Sequence, residues 1–156
     1  MDAALGGGGL GSDDGGLRLG AKLGCHLRVI TDASKYVTHC QTGVCIYDES
    51  GLELGTYSDR IGCVSSVEAE FAAATYGAVY AHWHGAVSIT LITDCNAVAQ
   101  AERGNFGAAA HAARAKLLDA LAQFEWWEIL KGTRDQVSRA DQLCRGAAFQ
   151  RPWWGD

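Results

Sequence analysis

Two β-prone segments of the chain end on the same three residues, and this repetition limits the folds that the sequence can adopt. Residues 27–32 read Leu-Arg-Val-Ile-Thr-Asp, and residues 86–94 read Ala-Val-Ser-Ile-Thr-Leu-Ile-Thr-Asp. The second segment is nearly continuous in apolar character, which is typical of a strand buried on both faces between parallel neighbours. If the two strands are parallel neighbours, both aspartates lie at one edge of the sheet, where open α/β folds bind their ligands.

The remaining elements follow from turn signals and from helical periodicity. Residues 41–47 and 52–57 predict two strands around a turn at 48–51, which extend the first strand, 27–31, into an antiparallel meander. Ser65 and Ser66 precede an alanine-rich helix that we expect to end near His82, with Val67 and Phe71 on its apolar face. Further helices are predicted over 96–102, 108–123 and 138–149, a last strand over 125–130 and a polar loop over 131–136.

The order of these elements, β-β-β-α-β-α-α-β-α, predicts an α/β fold. Its sheet is five-stranded and mixed, with three antiparallel strands followed by two parallel ones, and helices flank it. Hydrophobic residues make up 48% of the 156 residues, which is typical of a globular chain. Residues 1–24 hold nine of the twenty glycines, so we expect a flexible leader there, a domain over 25–150 and a short tail over 151–156.

Composition also limits the cellular setting. No apolar segment approaches the roughly 18–20 residues of a membrane span, and no signal peptide is recognisable, so we expect a soluble, intracellular monomer without a membrane partner. The six cysteines form no Cys-x-x-Cys pair, so a zinc-ribbon or thioredoxin-like motif has no support. Their even number permits disulfides, but the missing signal sequence favours buried free thiols. The net charge of −5 disfavours binding of nucleic acid through a large basic patch.

Four acidic residues are candidates for one metal site. Asp32 and Asp94 follow the two similar strands, Glu70 lies on the first helix and Asp141 on the last. Carboxylates held together repel, and one of them takes a proton unless cations intervene. Hard divalent cations bind oxygen ligands, and two of them about 4 Å apart can clamp a phosphoryl displacement. Glu68 competes with Glu70, because both lie at about the same angle from the apolar face of their helix.

Four motifs resemble those of the ribonuclease H family and occur in the same order along the chain. The resemblance covers about residues 27–148. The motifs are Thr-Asp-Ala-Ser at 31–34, Ser-Val-Glu-Ala-Glu-Phe-Ala-Ala at 66–73, Thr-Asp-Cys-Asn at 93–96, and Lys-Gly at 131–132 with Arg-Ala-Asp-Gln-Leu at 139–143. The family carries a D-E-D-D set of metal-binding carboxylates. The resemblance assigns this set to Asp32, Glu70, Asp94 and Asp141, and it prefers Glu70 to Glu68 because the family's Ala-Glu pair aligns with residues 69–70.

The resemblance implies an endonuclease that hydrolyses the RNA strand of RNA–DNA hybrids with two Mg²⁺ or Mn²⁺ ions. It implies that Asp32 bridges the two ions and that Glu70 and Asp94 hold the ion that orders the attacking water. Asp141 would hold the ion that stabilises the leaving 3′ oxygen. Polar residues with an implied contact to substrate are Ser34, Ser66, Asn96 and Arg134. An equally good explanation makes the first three of these ordinary turn or cap residues.

Departures from the family pattern keep other hypotheses open. The loop at 131–135 has no histidine, and Ala33 stands where the family usually has glycine. The absent histidine, together with the near-neutral surface of the domain, keeps open a second hypothesis, a catalytically weak or inactive module that binds nucleic acid or a polymerase. A third hypothesis is another enzyme of the same superfold, such as a 3′–5′ exonuclease or a junction resolvase. The exonuclease is disfavoured because no Asp-x-Glu pair begins at Asp32. Residues 139–145 also resemble the end of retroelement ribonuclease H domains, for which a reverse transcriptase is the partner.

Overall fold

A computed structural model of the chain describes residues 25–104 and 106–149. The predicted leader at 1–24 and the predicted tail at 151–156 lie outside the described residues. Among the described helices, none has the length and apolar character that a membrane crossing requires. The strands are β1 His26–Lys35, β2 Cys40–Tyr47, β3 Glu53–Tyr57, β4 Arg60–Ile61, β5 Ser88–Thr93 and β6 Trp126–Lys131. The helices are α1 Ser66–Trp83, α2 Asn96–Ala99, α3 Ala108–Leu121 and α4 Arg134–Phe149.

The strands form one mixed sheet in the order β3-β2-β1-β5-β6. β1, β2 and β3 are antiparallel neighbours, whereas β1, β5 and β6 run parallel. This confirms the predicted α/β fold with its three antiparallel and two parallel strands. The short strand β4 also pairs with β2 and makes the described sheet six-stranded.

The prediction that the first strand ends at Asp32 is wrong. β1 continues to Lys35, because its antiparallel ladder with β2 extends through the pair Asp32 and Gly43. The parallel ladder between β1 and β5, however, ends at the pair Ile30 and Ile92. Asp32 therefore lies two residues beyond the last parallel pair, at the edge where β5 also ends.

Helix α1 begins at a capping box, as the serines predict. The Ser65 hydroxyl accepts a hydrogen bond from the Glu68 amide at 3.1 Å, and the Glu68 carboxylate accepts one from the Ser65 amide at 3.1 Å. Phe71 is buried, but Val67 is exposed, so the predicted apolar face is wrong in its first turn. A Cβ atom at Gly77 would lie 2.8 Å from side chains of β1, so the helix packs closely on this strand.

Helix α4 begins one turn earlier than predicted. The Thr133 hydroxyl accepts a hydrogen bond from the Gln136 amide at 3.2 Å, and the Gln136 side chain accepts one from the Thr133 amide at 2.8 Å. This reciprocal pair starts the helix at Arg134, so the second half of the predicted loop at 131–136 is helical. α4 then lies so close to β2 that a Cβ atom at Gly43 would overlap the carbonyl oxygen of Ala140.

Two apolar clusters hold the helices on opposite faces of the sheet. Alternating residues of the strands point to opposite faces, and Val29 packs in the cluster that contains Phe71 of α1. Its neighbour Ile30 packs instead with Val137 and Ala140 of α4. The carboxyl edge of β5 is therefore reached by α1 from one face and by α4 from the other.

Candidate metal centre

The first group of possible metal ligands contains three of the four predicted carboxylates. Oxygen atoms of Asp32, Glu70 and Asp94 all lie within 4.8 Å of one another. Asp32 is only 6% exposed, whereas Glu70 and Asp94 are partly exposed. Each comes from a different element, β1, α1 and the end of β5, so the folded sheet and helix hold the group together.

The second group shares Asp32 and adds two residues of α4. Ligand atoms of Asp32, Asp141 and Cys144 again lie within 4.8 Å of one another. The other three predicted carboxylates are thus near Asp32, but Glu70 and Asp141 come from helices that pack on opposite faces of the sheet. Among the described residues, these are the two groups in which the ligand atoms of at least three acidic, histidine or cysteine side chains lie within 4.8 Å of one another.

Burial and mutual repulsion raise the pKa of two carboxyl groups. The pKa of Glu70 rises to about 8, first because the group is buried and then because the negative charges of Asp32 and Asp94 lie nearby. The pKa of Asp32 rises to about 7 through burial, a hydrogen bond with Asp141 and the charge of Asp94. Without a cation, the site therefore retains protons near neutral pH.

The residues present fit a divalent cation. The first group consists of carboxylate oxygens alone, the ligands that hard cations such as Mg²⁺ prefer. The Oε1 atom of Glu70 is buried and has no hydrogen-bond partner. A buried polar atom without a partner carries a desolvation cost, and a bound cation at this atom would remove it.

Arg145 forms an ion pair with Asp141. Its Nε atom donates to both carboxylate oxygens, at 3.0 Å and 2.9 Å, one helical turn after Asp141. Both side chains are more than a third exposed, so the ion pair contributes little to stability. The pair places a positive charge beside the partly exposed carboxylate of the second group.

Cys144 is a member of the site that the sequence did not single out. Its side chain is fully buried, and Sγ lies 4.0 Å from Oδ2 of Asp32 and 3.2 Å from the carbonyl oxygen of Asp141. Burial raises the pKa of this thiol to about 12. A signal was available, because Asp141 and Cys144 are three residues apart on one helix and so lie on the same side of it.

None of the four predicted substrate-contacting residues belongs to either group of ligand atoms. Ser34 contacts Cys144, with 3.2 Å between Oγ and Sγ. Ser66 is exposed at the start of α1, where Ser65 acts as the cap. Asn96 is exposed and accepts a hydrogen bond from Nζ of Lys131 at 2.6 Å, a partner that the sequence did not indicate. Arg134 is exposed at the first residue of α4.

We expect the melting temperature of the metal-free protein to fall as the pH rises from about 4 to about 8. Asp32 and Glu70 have pKa values of about 7 and about 8 in the folded protein, above their ordinary values of 3.8 and 4.5. At these two groups the folded chain therefore binds more protons than the unfolded chain throughout this interval, and their contribution to stability decreases as the pH rises. Thermal unfolding in EDTA at constant ionic strength measures this dependence.

A divalent cation should reverse that dependence, because it competes with protons for the same oxygens. Addition of Mn²⁺ should therefore raise the melting temperature more at pH 8 than at pH 5. A melting temperature in EDTA that increases over the whole interval, or an equal effect of Mn²⁺ at both pH values, would contradict the raised pKa values.

Similar proteins were found among solved structures. No family model matches the chain, and no curated protein matches it. The ribonuclease H1 of the halophilic archaeon Halobacterium salinarum superposes with a TM-score of 0.75 at 20% identity, over 79% of this chain and 97% of the archaeal one. LC11-RNase H1, obtained from compost by a metagenomic approach and solved with an RNA/DNA hybrid, superposes with a TM-score of 0.70 at 18% identity, over 79% and 99%.

A viral polymerase contains a similar domain. The protease–reverse transcriptase of prototype foamy virus superposes with a TM-score of 0.59 at 15% identity, over 78% of this chain and 20% of the viral one. At these identities the likeness concerns the fold. The described residues have a ribonuclease H-like fold, as the order of motifs in the sequence implies.

Proposed function

We propose that this chain is an endonuclease that hydrolyses the RNA strand of RNA–DNA hybrids with two divalent cations, Mg²⁺ or Mn²⁺. The observation that carries the proposal is the position of Asp32, which is buried and shared by both groups of ligand atoms. Two cations that act on one phosphodiester lie close together, and a carboxylate shared by two adjacent groups of ligands can hold them at that spacing. The ribonuclease H1 structures with this fold support the choice of substrate, since one of them is bound to an RNA/DNA hybrid.

The carboxylates divide into two sets of ligands under this proposal. Asp32, Glu70 and Asp94 would hold one cation, and Asp32 with Asp141 would hold the other. When bound, the cations would activate a water molecule and stabilise the negative charge on the leaving 3′ oxygen. Asp32 and Glu70 would release their protons on binding, because their pKa values are raised by burial and by neighbouring carboxylates.

The protein's remaining contribution is to position the hybrid. Asn96 lies two residues beyond Asp94, and Lys131 holds its amide oxygen at 2.6 Å. Under this proposal the amide nitrogen of Asn96 would donate to the minor groove of a hybrid. The 2′-hydroxyl displayed in that groove distinguishes RNA from DNA. Ser34, Ser66 and Arg134 would add contacts to phosphate or sugar.

The surface limits the affinity for the hybrid. From residue 25 to residue 150 the chain has fourteen acids and ten bases, and without the four site carboxylates the numbers are equal. A near-neutral surface releases few counterions on binding, so the isolated chain should bind a hybrid weakly. The similar domain in a viral reverse transcriptase supports a polymerase as the partner that would supply additional contacts with the hybrid.

We expect internal cleavage of the RNA strand when the protein is incubated with an end-labelled RNA–DNA hybrid and Mg²⁺ or Mn²⁺. Cleavage should stop with EDTA and should be absent with RNA duplex and with DNA duplex. Asp94→Asn should abolish it, because the substitution removes one charged ligand of the first group. The measurement is separation of the labelled products by length.

The labelled products also distinguish the proposed reaction from an exonuclease and from an inactive binding module. Cleavage of the DNA duplex, or activity that survives Asp94→Asn, would contradict the proposed reaction. Release of single nucleotides from an end would indicate an exonuclease. Binding of the hybrid without cleavage in either metal would favour the hypothesis of an inactive binding module.

A further inference from the structure

The second ligand group contains a thiol as well as carboxylates. Sγ of Cys144 lies 4.0 Å from Oδ2 of Asp32, and the ligand atoms of Asp32, Asp141 and Cys144 are mutually within 4.8 Å. The first group offers oxygen atoms alone. The two groups therefore differ in the kind of cation that their donor atoms prefer, although they share Asp32.

We propose that Asp32, Asp141 and Cys144 form a site for a thiophilic divalent cation, with Sγ of Cys144 as a direct ligand. Zinc and its relatives accept sulfur together with carboxylate oxygen, whereas Mg²⁺ is bound through oxygen. Zn²⁺, Cd²⁺ or Co²⁺ would thus occupy this group in preference to Mg²⁺. The metal–sulfur bond replaces the S–H bond, and the proton passes to solvent.

The surroundings of Cys144 suit this role. The thiol is fully buried on the inner side of the group, while the Asp141 side chain is 36% exposed and leaves an approach from solvent. The Ser34 hydroxyl lies 3.2 Å from Sγ and can donate a hydrogen bond to a sulfur that has lost its proton. Such an outer contact orients a metal ligand and strengthens its binding. Arg145 donates hydrogen bonds to the Asp141 carboxylate from solvent-exposed surface.

The proposal deepens the proposed function and rests on it for one assumption, that the carboxylates around Asp32 bind cations. It has a distinct consequence, because a cation held by sulfur would displace the hard cation that the second group needs for hydrolysis. Low concentrations of Cd²⁺ or Zn²⁺ would then inhibit cleavage of a hybrid supported by Mg²⁺.

The test is a titration of the whole chain with Co²⁺, followed by near-ultraviolet absorption. A cobalt–thiolate bond gives a charge-transfer band that oxygen ligands do not give. We expect this band in the wild type and in Cys63→Ser, whose exposed thiol lies outside both groups. Cys144→Ser and Cys144→Ala should lose the band and bind Cd²⁺ at least about tenfold more weakly, since loss of even an outer partner of a metal site has an effect of that size.

Two results would overturn the proposal: a band that persists in both Cys144 variants, or Co²⁺ binding to the wild type without a band. Circular dichroism of each variant excludes misfolding as the cause of a lost band. Cleavage of a hybrid with Mg²⁺ alone, measured on the same wild-type sample, tests the proposed function separately. A wild type that cleaves the hybrid but shows no cobalt–thiolate band would refute the thiol ligand and leave the nuclease intact.

Discussion

Replacing Asp32 with asparagine should lower the rate of RNA cleavage by at least about 100-fold without destabilising the metal-free protein. Loss of a residue that only orients a metal ligand already reduces affinity or activity by about 10–100-fold. Asp32 lies in both groups of ligand atoms, so its loss should have a larger effect. Initial rates of hybrid cleavage in saturating Mg²⁺ measure the change.

The stability of the same variant distinguishes a functional role from a structural one. Burial and repulsion raise the pKa of Asp32 to about 7, so its ionised form is unfavourable in the folded protein without a cation. The asparagine side chain has the same shape and no charge, and the melting temperature in EDTA at pH 8 should therefore rise. Asp119→Asn, an exposed change on α3, is the matched control and should alter neither quantity. A large loss of stability in Asp32→Asn would show that the residue mainly supports the fold.

The second large effect should distinguish two glutamates that stand two residues apart. Glu70→Gln should reduce cleavage by at least about 100-fold, because it replaces a charged ligand of the first group by a neutral amide. Glu68→Gln should remain within about twofold of the wild type, because glutamine preserves the capping box with Ser65. Both substitutions remove one negative charge from α1, so they are matched in charge and in size.

Cleavage rates, melting temperatures and Mn²⁺ affinities of the two variants complete the comparison. Glu70→Gln should bind Mn²⁺ more weakly and should be at least as stable as the wild type in EDTA at pH 8, because the pKa of Glu70 is raised. The opposite pattern, with Glu68→Gln inactive and Glu70→Gln active, would mean that the ligand on α1 is assigned to the wrong residue.

Local sequence patterns were sufficient to predict most of the fold. The apolar run before Asp94 predicts a buried parallel strand, and β5 is one, with parallel partners on both sides. Ser65 ahead of an alanine-rich segment predicts the start of α1, because the cap forms between residues only three apart. These features depend on near neighbours in the chain, and therefore the sequence displays them directly.

The start of α4 and the end of β1 were predicted wrongly for different reasons, one local and one tertiary. The capping box between Thr133 and Gln136 is local, so the early start of α4 could have been predicted from Thr-x-x-Gln. The extension of β1 beyond Asp32 could not, because it depends on pairing with Gly43 and its neighbours in β2. The choice between Glu68 and Glu70 also depended on more than periodicity, since both lie at similar angles on the helix.

The sequence by itself determined the helices, five of the six described strands, and the acids that lie on or just after them, because these properties follow from the spacing of neighbouring residues. The tertiary structure alone decided that Cys144 meets Asp32, a residue 112 positions away. It did so by packing α4 against β2 where Gly43 has no side chain to keep them apart. The raised pKa values of Asp32 and Glu70 likewise arise from burial and from charges brought together by folding. Distances and desolvation of this kind exist only once remote segments have packed.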